Sequence, residues 1–174
     1  MKRMILFASV IGLMTFASCS GGKKYSTAGI EYTVTTKEVV VPADTVNGTP
    51  EYTILEKSQV DISKFPVDKD GYTILFAGDA FSGWRGYNKD VVPSRWIIED
   101  EAIKFVGSGA GEAQKADGGD LLFAYKFKNF ELSYDWKVAK GSNSGVLYLG
   151  LEIKDQPNYI SAPESQVLDN ERHP

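Results

Sequence analysis

At 174 residues, with 43% hydrophobic and 12% aromatic composition, the chain is long enough to bury one real core. Its formal net charge of −4, with no visible Lys/Arg patch, excludes the phosphate-neutralising surface of a nucleic-acid binder, so no nucleic-acid partner is expected. A single cysteine excludes an intramolecular disulfide and any Cys-based metal site.

The chain opens with two basic residues, Lys2 and Arg3, followed by an apolar run from Ile5 to Ala17 broken by Ser9, Gly12 and Thr15. That run is short for a membrane span, which needs roughly 20 apolar residues. Basic start, short apolar segment and small residues together have the layout of a secretory signal. Phe16-Ala17-Ser18-Cys19 resembles a bacterial lipobox, with Phe where Leu is usual, and Ser20 to Lys24 reads as a polar tether. The expectation is a lipoprotein signal peptide over residues 1–18, lipidation at Cys19, and an exported protein anchored by lipid in the cell envelope, at the periplasm or outer membrane. The alternative is an ordinary signal peptide with a cysteine near its cleavage site. On either reading residues 1–18 stand outside the folded domain.

Residues 19–66 read as a tether and a small β-prone region. Ile30 to Val34 alternates apolar and polar residues as a half-buried strand would, Val39-Val40-Val41 is a second β-prone run stopped by Pro42, and Asn47-Gly48 is a turn signal. The tetrads beginning at Glu31, Glu51 and Gly71 echo one another at a spacing of 20 and predict similar strands rather than a solenoid, because the residues between do not match. The region is either a mobile spacer or a small β addition to the main domain.

The main domain is expected over residues 67–174. Asp68 to Gly71 is a turn and 72–76 a strand. Residues 96–105 predict a hairpin around the acidic turn Asp100-Glu101, and the Gly-rich stretch 107–119 a loop. Strands follow at 120–125, 130–138, 145–153 and 165–168. In 130–138 the residues Phe130, Leu132, Tyr134, Trp136 and Val138 share one parity, so Trp136 is assigned to the core together with Trp96. No segment holds helical periodicity over three turns. Many short strands, mostly antiparallel, predict an all-β sandwich or jelly roll.

A set of motifs then stands in one order: Leu75-Phe76, Gly78, Ser82-Gly83-Trp84-Arg85-Gly86-Tyr87, Pro93-Ser94-Arg95-Trp96, Gly118-Gly119-Asp120-Leu121, Phe127 to Leu132, Trp136-Lys137, Asn143-Ser144-Gly145 and Pro163 to Asn170. This order and spacing resembles the 3-keto-disaccharide hydrolase family, also described as 3-keto-glucoside 1,2-lyase and 3-keto-2-hydroxyglucal hydratase domains. The resemblance covers roughly residues 67–174. It implies a concanavalin-like jelly roll and, since family domains run on past this point, one incomplete at the C-terminus. It also implies a carbohydrate partner, a 3-keto-glycoside. Ser165 departs from the family pattern, which usually has a larger residue between the Glu and the Gln.

The chemistry implied is elimination and hydration. A ketone at C3 acidifies the C2 proton; a base removes it, and the group on C1 leaves. Water then adds to the resulting glucal. Such a site needs a base, a stabiliser for the enolate oxygen and a proton donor. No cofactor is required, although a divalent metal would polarise the ketone. Through the resemblance, Glu164 is the candidate acid/base or metal ligand, against an ordinary exposed strand-end glutamate. Gln166 lies two residues on and shares its face in a strand. Asp169 falls on the opposite parity unless a turn intervenes. His173, the single histidine, titrates near neutral pH and is the second catalytic candidate, against a frayed chain end. Asn143 borders the implied sugar cleft, or is simply a turn residue. Trp84 and Arg85 are candidates for one wall, Trp84 equally for core filling. Asp117 to Asp120 is a weak cation-loop candidate that lacks the full calcium-loop spacing. Two other readings stand beside the enzyme: a non-catalytic carbohydrate-binding sandwich and an inactive remnant of the enzyme.

Overall fold

The computed structural model describes residues 25–107 and 118–172, together with the backbone of 2–7. Among them are eleven strands, two single-turn 3-10 helices and no α-helix; no helix there is long and apolar enough to cross a membrane. The strands are β1 (Lys2–Phe7), β2 (Thr36–Val41), β3 (Tyr52–Lys57), β4 (Tyr72–Ile74), β5 (Trp84–Gly86), β6 (Trp96–Glu99), β7 (Ala102–Phe105), β8 (Leu121–Phe123), β9 (Phe130–Asp135), β10 (Asn143–Leu147) and β11 (Glu164–Leu168). The protein is all-β, consistent with a β-sandwich.

Four antiparallel ladders, β2-β3, β5-β8, β6-β7 and β10-β11, account for most of the pairing. The exception is a parallel sheet of order β4-β1-β9. Residues 2–7, which the sequence reading set outside the fold, lie there between two strands of the domain. The edges of β4 and β9 carry backbone groups that call for partners, and an extended segment supplies them.

Local chemistry explains the turns. The expected hairpin closes at Asp100 and Glu101, both left-handed (φ 51° and 58°), the backbone of a type I′ turn whose twist matches the flanking strands. Gly78 packs on that turn: a Cβ there would stand 2.8 Å from the Cβ of Glu101. At the Asp68 turn, Oδ1 accepts the amides of Asp70 (2.9 Å) and Tyr72 (2.8 Å), which starts β4. At Asn47-Gly48, Asp44 caps the turn through the amides of Val46 and Asn47.

The core gathers Phe65, Ile74, Leu75, Phe76, Ile103, Ala124 and Val167. Phe123 joins it by edge-on ring contacts to Phe65 and Trp84, each at 5.2 Å. Residues 25–66 are a β addition, not a spacer. Leu55 donates to the carbonyl of Glu152, Lys154 to that of Thr53 and Val60 to that of Ala124, each at 2.8 Å. At its front end Asp79 accepts the amides of Thr27 and Ala28 and the hydroxyls of Ser26 and Thr27.

Several expected strands differ. Ile30 to Val34 joins no ladder; the Ser58 side chain pins this stretch instead, its hydroxyl donating to the Thr33 carbonyl (2.8 Å) and accepting the Thr35 amide (2.9 Å). β9 alternates as expected but stops at Asp135, so Trp136 lies beyond it with 47% of its surface exposed and is not a core residue. Trp96 is half-buried, its ring tilted against Phe105 at 4.9 Å and its Nε1 donating to the Gly119 carbonyl (2.8 Å). The strand expected over 145–153 ends at Leu147, where the chain turns through Leu149 (φ 57°) and rejoins β structure at the Ile153–Ile54 bridge.

Candidate functional site

The β10-β11 ladder brings three of the expected site residues to one face. Its register pairs Asn143 with Leu168, Gly145 with Gln166 and Leu147 with Glu164. Residues directly opposite, or two apart along a strand, point the same way, so Asn143, Gln166 and Glu164 share a face. All three are exposed. The intervening positions face the other way: Val167 is buried, and Ser165 lies 3.4 Å from the Tyr134 hydroxyl of β9. On the open face Gln166 Nε2 donates to Glu164 Oε2 at 2.9 Å, fixing a carboxylate and an amide side by side. Such a pair offers a base and an adjacent N–H donor to a bound carbonyl or hydroxyl.

Asp169 sits just past β11 and faces the turn before β10. Its Oδ2 accepts the Gly141 amide at 2.7 Å, its own amide donates to the Ser142 carbonyl at 3.2 Å, and Oδ1 accepts the Glu171 amide. Those backbone bonds, the first from Gly141, hold its pKa below the usual carboxylate value. It latches the two strands in register and stands at the end of the site face rather than on it.

Arg85 and Trp84 lie elsewhere. The Arg85 guanidinium is buried and bidentate to Glu152, with Nη1 to Oε1 at 2.6 Å and Nη2 on Oε2, and Nη1 also donates to the Gly86 carbonyl at 3.1 Å. Burial would lower its pKa; Glu152 and Tyr32 outweigh that and raise it. Arg85 is therefore not an open wall for a sugar: both terminal nitrogens are committed to the buried Glu152, while its buried Nε has no hydrogen-bond partner among the described residues. Trp84 is half-buried: it packs on Phe123 and donates Nε1 to the Leu75 carbonyl at 3.0 Å, in line with the core-filling alternative of its two expected roles. Cys19, His173 and Asp117 lie outside the described residues. Among the described residues no group of three or more His, Cys, Asp or Glu side chains comes together to hold a metal.

Two positions of the local structure lay outside the site candidates drawn from the sequence: Glu152, the partner of Arg85, and Gly145, beneath Glu164. Glu152 is a charge inside the apolar run Leu147 to Ile153, which is itself a signal of a buried partner. Gly145 interrupts a strand, a position that often marks a close approach.

The model of the 3-keto-alpha-glucoside-1,2-lyase-like domain matches residues 71–174, and the chain belongs to that family. It is also 52% identical over 166 residues to the 3-keto-disaccharide hydrolase of Bacteroides thetaiotaomicron, an alignment covering 90% of this chain and 54% of that protein. The chain thus spans about half the length of the curated relative it matches.

Proposed function

We propose that this chain carries a domain of the cell envelope that cleaves 3-keto-glycosides by elimination, followed by hydration of the glucal. The observation that carries the reading is the Glu164–Gln166 pair, hydrogen-bonded on one exposed face with Asn143. Family membership supplies the substrate class, a 3-keto-glucoside.

Glu164 acts as the base. Its carboxylate takes the C2 proton, the C2–H electron pair becomes the enolate of the C3 ketone, and the C1–O bond breaks with the aglycone oxygen taking a proton. The Gln166 amide donates to the developing enolate oxygen or to a neighbouring hydroxyl, and the Asn143 amide holds the sugar from the same face. In the second step water adds at C1 and a proton returns to C2, giving the free 3-keto sugar. His173 is the candidate donor to the departing oxygen. Neither step needs a nucleotide or redox cofactor. Lipid on Cys19 anchors the domain to the envelope membrane, and the processing that exposes Cys19 removes residues 2–7 from between β4 and β9.

The test is release of aglycone from a 3-keto-glucoside by the intact gene product. Groups acting in proton transfer contribute about 10²–10⁴-fold, so Glu164→Gln loses at least about 100-fold in rate. Near-normal turnover by Glu164→Gln removes the assignment. Tight binding of the keto sugar without turnover by the unsubstituted protein supports the carbohydrate-binding reading instead.

A further inference from the structure

Gly145 stands within β10, directly opposite Gln166. Its backbone is not in the left-handed region, so no turn or strain demands glycine there. Glycine inside a strand also weakens it, having no side chain to pack. What the position lacks is room. A Cβ built on Gly145 would lie 1.8 Å from Glu164 Oε1, 2.5 Å from its Cδ and 2.6 Å from its Cγ. Glu164 is paired with Leu147, so its side chain reaches diagonally back across the ladder and lies flat over Gly145, a span that long side chains cover. One carboxylate oxygen then rests over the glycine while the other takes the Gln166 amide.

From this we infer that Gly145 is a positioning residue for Glu164: the missing Cβ is what lets the carboxylate lie along the sheet beside Gln166. The inference rests on the proposed role of Glu164 as base. Since the crowded group is a flexible side chain and the backbone accepts alanine, Gly145→Ala leaves the fold intact and makes Glu164 swing away. Stability and activity therefore part company at this residue.

The experiment compares Gly145→Ala with Gly107→Ala, a control glycine with nothing within 4 Å of its built Cβ. Gly145→Ala melts at or above the temperature of the unsubstituted protein. Its kcat on a 3-keto-glucoside falls by about 10- to 100-fold, as a displacement of about 1 Å in a reacting group produces, while KM stays within about twofold. In ¹⁵N- and ¹³C-labelled protein the Gln166 side-chain amide signals and the Glu164 carboxyl carbon signal move; Gly107→Ala changes neither. Unchanged Gln166 signals together with an unchanged Glu164 carboxyl signal in Gly145→Ala overturn the inference. If Gly145→Ala fails to fold, Gly145→Ala/Glu164→Ala folds; failure of both overturns it as well. If the unsubstituted protein does not turn over the keto sugar, the proposed function falls, and the two spectroscopic readouts still decide for Gly145.

Discussion

Replacing Glu152 with alanine strips the buried Arg85 guanidinium of its two carboxylate contacts. The Arg85 side chain is 4% exposed and that of Glu152 9%, so water cannot take the place of the lost oxygens without opening the structure. Breaking a buried pair from one side costs about 3–5 kcal/mol. The pair also joins β5 to the segment that carries the Leu55 and Lys154 ladder contacts, so the N-terminal hairpin loosens with it. In a urea titration of the intact protein, with a slope of about 2 kcal/mol/M, the midpoint falls by about 2 M. Thermal unfolding falls by roughly 10 °C for a domain of this size. Arg85→Met/Glu152→Leu, which removes both charges and keeps the volume, recovers most of the loss. A midpoint shift in Glu152→Ala worth less than about 1 kcal/mol, or a double variant as unstable as the single, refutes the buried-pair account.

Acid should release the front of the domain. Partial burial pushes the Asp79 carboxyl up, but hydrogen bonds from Ser26, Thr27 and Ala28 outweigh it and bring the pKa to about 2. A lowered native pKa contributes stability that is fully present above the unfolded value of 3.8 and lost as pH falls toward 2. Asp79 is exposed, so the contribution is discounted for screening to about 1 kcal/mol. Asp79→Asn therefore flattens the stability profile between pH 4 and 2, and a profile identical to that of the unsubstituted protein contradicts this. Asp169→Ala loosens the turn before β10, read as faster amide exchange at Gly141; unchanged protection there counts against the latch. Cys19→Ser leaves the protein unprocessed or free of the membrane fraction, whereas unchanged fractionation and mature mass rule out the lipid.

Patterns short enough to be decided locally were legible. The Asp100-Glu101 hairpin, the Asn47-Gly48 and Asp68–Gly71 turns and a strand at 165–168, observed as Glu164–Leu168, follow from turn chemistry and alternation over a few residues. Glu164 and Gln166 share a face because strand parity alone requires it. Where partners distant in sequence decide, the pattern misled. Ile30 to Val34 alternates like a strand, yet Ser58 takes its backbone groups. Trp136 continues the parity of β9 after the ladder has ended. Arg85 looked like a sugar ligand because nothing near it in sequence announces Glu152, 67 residues away. Asn143 joined the site face only through the antiparallel register of β10 and β11, which a single sequence does not display.

The most direct test of the account is the fate of the C2 proton. In deuterated water, the intact protein acting on a 3-keto-glucoside should release the aglycone and return a sugar carrying deuterium at C2. Glu164→Gln should show neither at more than about one hundredth of that rate. Aglycone release with the original C2 hydrogen retained, or undiminished exchange in Glu164→Gln, would contradict elimination by this carboxylate.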